Sequence, residues 1–228
     1  HRPVGAALAA LLGERLRVGA WKTFGVSWGL TLEAAIRRLP QQSNPDLEVL
    51  SILGGTAKGS NFNSFGVASG FARVLGAHYS VLTAPIYLPD GIDRDLFLSQ
   101  FALKEHFDKF EHLDAALLTC SDVSEKSFLV EHGLPKELSP AGLAKAGAIG
   151  DVLGYFMDEN GNSVSDEVED RTVGMSLDQV KQVPEKIMAA AGPHKVNIIK
   201  AACKRDLVDT LVTDDVTAKL ILDSPNDT

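Results

Sequence analysis

"FGVSWGLTLEAAIRRL" (residues 24–39) passes from an apolar extended stretch, through two glycines, into an amphipathic helix. The segment "WKTFGVS" (21–27) has the character of a buried strand, and "TLEAAIRRL" (31–39) places Leu32, Ala35, Ile36 and Leu39 on one helical face. A strand that enters a helix through a short turn of small residues is a ready anion site. The helix start offers unpaired N–H groups and partial positive charge. Ser27 and Thr31 add hydroxyls there, and glycine permits close backbone approach. The spacing of Gly25, Gly29 and the Leu30-Thr31 pair is not G-x-G-x-x-G, and a P-loop would need Gly-Lys-Ser/Thr. A ligand-holding turn and an ordinary βα turn with Thr31 as a helix-start residue both stay open at this point.

The same rhythm continues on either side. Strands are expected at "LEVLSIL" (47–53), "YSVLTAP" (79–85), "LDAALLTC" (113–120), "EKIMAAAG" (185–192) and "LVDTLVTD" (207–214). Helices are expected over the first 20 residues, near 65–75, across 94–113 with room for a break inside it, and at "HKVNIIKAACK" and "DVTAKLILD". The stretches "IGDVLGYFMD" (149–158) and "RTVGMSL" (171–177) read as an antiparallel pair of strands joined by an acidic turn. Alternating β and α at this spacing predicts an α/β fold with a doubly wound, mostly parallel sheet and a small antiparallel extension. Ligands on such sheets bind at the carboxyl ends of the strands.

The totals bound the function. With 228 residues, of which 45% are hydrophobic, the chain has ample material for one α/β domain. No run of about 18 apolar residues occurs, so no membrane partner is expected. Glu14, Arg15 and Arg17 make the first 20 residues an amphipathic helix rather than a secretory signal. A net charge of −8 argues against DNA binding by this segment itself, because phosphate neutralisation needs a Lys/Arg surface. Cys120 and Cys203 stand far apart without a CxxC, which suits a reducing cytoplasm and excludes a disulfide framework. Six scattered histidines form no paired metal spacing.

Several motifs in order resemble the sugar-binding domain of the SorC (sorbitol-operon) family of bacterial transcriptional regulators. "GVSWGLTL" is similar to that family's opening G-(V/I)-x-W-G-x-T-(L/M) segment. "LGGTAKGSNFNSFGVASGFARVLGAHYSVLTAPIYLPD" (53–90) resembles its glycine-pair loop, helix and L-x-A-P strand end. "AGLAKAGAIGDVLGYFMDENGN" (141–162) resembles its G-A-(V/I)-G-D-(I/V)-x-G-x-F-x-D-x-x-G stretch, and residues 171–222 its C-terminal run. The likeness covers essentially the whole chain and implies a Rossmann-like sheet resembling sugar-phosphate isomerase folds. "TCSD" (119–122) departs from the family's glycine-rich strand end, and "AGPHK" from its G-G-x-x-K, with Pro193 reshaping that turn.

The candidate binding residues follow from both sources. Ser27, Trp28, Gly29 and Thr31 belong to the opening turn. In the loop "GGTAKGSNFNS" (54–64), Gly54 and Gly55 allow close approach, Lys58 is a cation, and Asn61 and Asn63 carry amides suited to a polyhydroxy ligand. Asp151 sits inside an apolar run, where a carboxylate needs a hydrogen-bonding partner. The resemblance implies a sugar hydroxyl as one, beside the salt-bridge and backbone alternatives. It likewise implies that Lys195, at a strand-to-helix junction, contacts the ligand rather than water alone. The acidic "DENGNSVSDEVED" (158–170) imitates a calcium loop, but Ser163 stands where that loop needs glycine, so a solvated hairpin tip is expected. Cys120 lacks a basic partner that would mark a reactive thiolate.

The expectation is therefore one domain spanning residues 1–228, for effector binding and oligomerisation in a sugar-responsive cytoplasmic regulator. It takes a sugar, polyol or sugar phosphate, without cofactor or metal and without catalysis. It assembles as a homodimer or homotetramer and meets DNA only through a helix-turn-helix segment preceding residue 1. The alternatives are a sugar-phosphate isomerase or deaminase on the same fold, which needs a positioned general base, and an oligomerisation module with a vestigial pocket.

Overall fold

The computed structural model describes residues 1–56 and 62–223. In chain order its elements are α1 (Arg2–Arg17), β1 (Thr23–Val26), α2 (Leu30–Ile36), β2 (Glu48–Ser51), α3 (Ser64–Leu75), β3 (His78–Ser80), α4 (Arg94–Leu98), α5 (Phe101–Asp108), β4 (Ala115–Leu118) and β5 (Cys120–Ser121). They continue with α6 (Phe128–His132), α7 (Pro140–Lys145), β6 (Gly150–Val152), β7 (Tyr155–Met157), α8 (Asp166–Arg171), α9 (Leu177–Gln182), β8 (Glu185–Ala189), α10 (Val196–Lys204), β9 (Thr210–Val212) and α11 (Asp215–Asp223).

Six strands form one sheet in the order β3-β2-β1-β4-β8-β9, every pair parallel. The chain builds outward from β1 in one direction and, after crossing over, outward from β4 in the other. Strand pleat sorts the side chains to two cores. Phe24, Val26, Val49, Ala115 and Leu117 pack with Leu8 and Leu12 of α1, Leu32 of α2 and Phe71 of α3. Leu50, Ala116, Leu118 and Met188 face the other side, against Ile198 and Ile199 of α10 and the second sheet. Arg15 and the Trp21 indole both donate to Glu185, at 2.8 and 3.0 Å, which ties α1 to the start of β8.

The second sheet, β5-β6-β7, is antiparallel, with Ser121 opposite Asp151 and Asp151 opposite Phe156. Here the structure corrects the expectation for residues 149–158 and 171–177. The first is a hairpin, turned at Leu153 and Gly154, whose φ values of 54° and 85° are both positive as a two-residue hairpin turn requires. Leucine at such a position gives no turn signal, so the apolar run reads as one continuous strand. The second is no strand. Its first residue ends α8, and the rest makes isolated bridges from Thr172 to Tyr87 and from Gly174 to Leu53. The expected acidic turn is present at 158–162, but the acidic residues after it wind into α8. Ser165 caps Val168 N–H there, and Asp166, Glu167 and Glu169 lie in the first turn, where the helix dipole favours them.

The helical stretch 94–113 divides into α4, α5 and a short 3₁₀ turn (Lys109–His112), with its break at Ser99 and Gln100. The strand expected over 79–85 is limited to the edge strand β3. Beyond it the backbone bonds sideways, Leu82 N–H to the Ser51 hydroxyl at 2.7 Å.

Gly54 marks a close chain crossing, because a Cβ there would lie 2.5 Å from the Pro85 carbonyl oxygen and 2.8 Å from that of Ala84. Gly13 of α1 has open space around its Cβ direction. Gly54→Ala is expected to lose ~1–3 kcal/mol of unfolding free energy through overpacking. Gly13→Ala should gain ~0.5–1 kcal/mol from helix propensity. Urea unfolding of both variants checks the pair.

Candidate functional site

A cavity of about 520 Å³ opens at the carboxyl ends of β1 and β4 and reaches the turn that follows β8. These ends flank the point where strand order reverses, so the loops after β1 and β4 leave in opposite directions and a crevice forms between them.

The floor is built from short side chains whose hydrogen bonds are largely fixed. Ser27 N–H extends the β1–β4 pairing to Leu117 O at 2.9 Å. The Thr119 hydroxyl donates to Trp28 O at 2.7 Å, so in the 3.3 Å Ser27–Thr119 contact the Ser27 hydroxyl is the donor. Gly29 sits at φ 125° and ψ 163°, backbone that an L side chain rarely adopts, and donates to Phe62 O at 2.8 Å. The Thr31 hydroxyl lies 3.2 Å from His1 Nδ1.

Asp151, only 4% exposed, is the charged centre of the cavity wall. One carboxylate oxygen accepts the Ser121 hydroxyl, which in turn accepts from Ser127 Oγ at 3.0 Å. The other accepts Gly154 N–H at 3.0 Å. Burial pushes the Asp151 carboxyl up to about 6, against the pull of the Ser121 and Gly154 hydrogen bonds and the Lys195 charge. Lys195 Nζ donates to Cys120 O at 2.9 Å, at the end of the 3₁₀ turn (Pro193–Lys195) that Gly192 opens at φ 124°. Burial pushes the Cys120 thiol up to about 12, which leaves it neutral and unreactive.

Aromatic rings make the remaining wall. Phe128 packs edge-on against Trp28 at 5.5 Å and Phe62 at 4.8 Å, and it contacts His132 at 5.0 Å. Lys126, Asp122 and Glu131 complete the charged part of the lining, with His194 beside them. Hydroxyls, a carboxylate, ammonium groups and flat rings together match the C–H faces, hydroxyls and acidic substituents of a carbohydrate-like ligand.

Of the candidate residues, Ser27, Trp28, Gly29, Thr31, Asp151 and Lys195 line this one cavity. Gly54, Gly55 and Asn63 do not. Gly54 and Gly55 donate to Val173 O and Ala84 O, each at 2.8 Å, in the chain crossing, and Asn63 caps α3 through Gly66 N–H at 2.8 Å. Lys58 and Asn61 lie outside the described residues. The residues not anticipated are Thr119, Ser121, Ser127, Phe62, Phe128 and His132. "LDAALLTC" runs directly into "SDVSEKSF", and hydroxyl residues just past a buried strand's carboxyl end were the available signal. Residues 158–162 form a turn closed by Asp158, which accepts from Asn160 and Asn162 N–H at 2.9 and 2.8 Å. Among the described residues no group of three His, Cys, Asp or Glu side chains is placed to hold a metal ion.

Residues 1–223 match the family model described as "Putative sugar-binding domain". The chain is 26% identical over 223 residues to the erythritol catabolism regulatory protein EryD of Brucella abortus, covering 98% of this chain and 70% of that protein. It is 25% identical over 200 residues to the deoxyribonucleoside regulator of Bacillus subtilis, covering 87% and 63% respectively. The full-length sorbitol operon regulator SorC of Klebsiella pneumoniae superposes with a TM-score of 0.85 at 24% identity, over 96% of this chain and 70% of that one.

The raised Asp151 pKa makes stability depend on pH in a defined direction. The unfolded carboxyl releases its proton near its ordinary 3.8, whereas the folded one holds it to about 6. Between those values the native state binds more protons, so this group's contribution falls as pH rises through the window. The stability of the wild type relative to Asp151→Asn should drop by about 2–3 kcal/mol between pH ~4 and ~7. A difference that stays flat in urea titrations across this range would show that folding does not raise the pKa of this carboxyl.

Proposed function

The chain belongs to the family of sugar-binding domains, and from that premise we propose that it is the effector-binding and oligomerisation domain of a sugar-responsive bacterial transcriptional regulator. The carrying observation is the cavity at the strand-order reversal, where Asp151, Lys195, Ser27 and Thr31 share a wall with the Trp28–Phe128 rings. The effector is a sugar, polyol or sugar phosphate. Lys195, whose ammonium keeps donors beyond its bond to Cys120 O, serves an acidic group, and Asp151 serves neutral hydroxyls, because a carboxylate repels phosphate. DNA contact belongs to a helix-turn-helix segment outside this chain, in keeping with the net charge of −8 and the greater length of the named regulators. Among the described residues no helix is long and apolar enough to cross a membrane, which fits the cytoplasmic site proposed for such a regulator.

We place the domain among sensors rather than enzymes. The relatives reported above are named as regulators, and among the described residues of the cavity wall Asp151 is the one buried carboxylate, with no second buried carboxylate paired to it. An isomerase base has to face the proton that it removes. Incubation with aldose, ketose and amino-sugar phosphates should give no isomer or ammonia above a buffer control. Turnover that Asp151→Asn abolishes would replace the sensor with an enzyme. The assembly proposed is a homodimer or homotetramer. Light scattering of the purified chain measures that state.

Thermal shifts with erythritol, D-sorbitol, 2-deoxy-D-ribose and their terminal phosphates test the effector class. A probe at 100 times its Kd should stabilise by about 2.7 kcal/mol. Lys195→Met is expected to weaken a phosphorylated probe much more than its unphosphorylated partner, with a gap that narrows at high salt. Equal losses for both would mean that the lysine does not read a phosphate. Thr31→Val should weaken binding by roughly 2- to 10-fold if its hydroxyl holds the probe.

A further inference from the structure

The cavity wall carried by α6 is fastened to the rest of the domain by two kinds of contact. Leu129 is buried in the core, and Phe128 sets its ring against Trp28 and Phe62. Neither of these apolar contacts is directional. Among the described residues, the only hydrogen bond that joins residues 123–132 to either sheet runs from Ser127 Oγ to Ser121 Oγ of β5, at 3.0 Å. Ser124 spends its hydroxyl on Asp122 at 2.8 Å, and Glu131 and His132 face each other. The N–H groups of Ser127, Glu131, Gly133 and Leu134 all go to carbonyls of the same segment. One polar tie therefore fixes how the first turn of α6 is rotated over the cavity.

The direction of that tie is set by charge. An ionised carboxylate can only accept, so Ser121 donates to Asp151 and takes its own incoming bond from Ser127. The second Asp151 oxygen is held by Gly154 N–H at 3.0 Å, on the side away from α6 in this chain of bonds. Hydrogen bonds in a row polarise one another, so a charge at one end strengthens the bond at the other. Lys195, Asp122, Tyr87 and Cys120 also feel the Asp151 charge, but none of them lies on α6. We infer that Ser127 is a positioning residue of the effector site, through which the charge of Asp151 holds the first turn of α6 and seats the Phe128 ring against Trp28. The inference rests on the sugar-binding function proposed above for what the seated ring serves, an apolar C–H face of the ligand. The coupling itself is a property of the chain without ligand.

The two tryptophans of the chain give two indole N–H resonances that report on the coupling. Trp28 touches Phe128, whereas Trp21 precedes β1 and donates to Glu185, which makes it the internal control. At neutral pH, Asp151→Asn should displace the Trp28 resonance in the wild type and leave it in place when Ser127 is already alanine. Ser121→Ala should give the same pair of outcomes, and it stands in if Asp151→Asn does not fold. Ser127→Thr keeps the hydroxyl and should restore the response. A Trp28 resonance that ignores both Asp151→Asn and Ser121→Ala, or that moves equally with and without Ser127→Ala, overturns the inference. A second measurement uses whichever of erythritol, D-sorbitol, 2-deoxy-D-ribose or their phosphates raises the melting temperature of the wild-type chain. By calorimetry Ser127→Ala should weaken that probe roughly 2- to 10-fold, and Ser127→Thr by less than about twofold. Unchanged affinity in Ser127→Ala also overturns the inference while leaving the sugar-binding function intact. If no probe binds the wild type, that function falls, and the tryptophan comparison still decides the coupling.

Discussion

Everything in this domain is arranged by the pairing of β1 with β4. Phe24, Gly25 and Val26 lie beside Ala115, Ala116 and Leu117, and the sheet grows away from that seam on both sides. The register needs small side chains at its centre. A Cβ on Gly25 would come within 2.4 Å of the Ile52 side chain and 3.0 Å of Leu113. Because the chain leaves β1 toward one edge and β4 toward the other, their following loops diverge, and the crevice between them needs no further element to create it. Ser27 and Thr119, the first residues past each strand, meet across that crevice at 3.3 Å. The site is thus a consequence of topology before it is a consequence of any functional side chain.

The second sheet then converts an open crevice into a walled cavity. β5 continues from β4 after a single residue, and its Ser121 stands opposite Asp151 of β6. This register brings a carboxylate from a segment thirty residues further along the chain to the carboxyl end of the main sheet. The hairpin turn fixes its second oxygen through Gly154 N–H, and Tyr87 in turn holds Gly154 by donating to its carbonyl at 2.6 Å. Desolvation opposes the charge, hydrogen bonds and the Lys195 ammonium favour it, and the balance leaves a carboxyl that titrates near 6. At neutral pH it is an ionised acceptor in a dry wall, where a ligand hydroxyl gains most from meeting it.

The sequence displays the main sheet because each strand is a short apolar run between small residues and a 3.6-period helix. The opening turn of the site is legible for the same reason, since Ser27, Gly29 and Thr31 sit at a strand-to-helix junction. Lys195 and Asp151 are visible as charges in places where charge is expensive. What stays hidden depends on tertiary pairing. Leu153 accepts a positive φ that nothing in its side chain announces, so one apolar run conceals two strands. Gly54 and Gly55 look like a ligand cradle, yet they serve a backbone crossing with Ala84 and Pro85. Glycine signals close approach but does not say what approaches. Phe128 and His132 lie on a helix of only five residues, too short for periodicity to register.

That short helix also shows how the polar and aromatic halves of the cavity are joined. Serine at the residue before a helix ordinarily spends its hydroxyl on the helix's own N–H groups. Ser127 occupies that place before α6, but its hydroxyl makes no capping bond and donates instead to Ser121, which donates to Asp151. The first turn of α6 is therefore held by a chain of hydroxyls that ends on the buried carboxylate. A ligand hydroxyl bonded to Asp151, as proposed above, would share the carboxylate on which this chain of hydroxyls ends, and so would touch the tether of the helix that carries Phe128 and His132. Differential contact of this kind is what a ligand needs in order to shift a conformational equilibrium, since equal affinity for two states shifts nothing. In the sensor proposed above, such a contact would link occupancy of the pocket to the helix that carries part of its own wall.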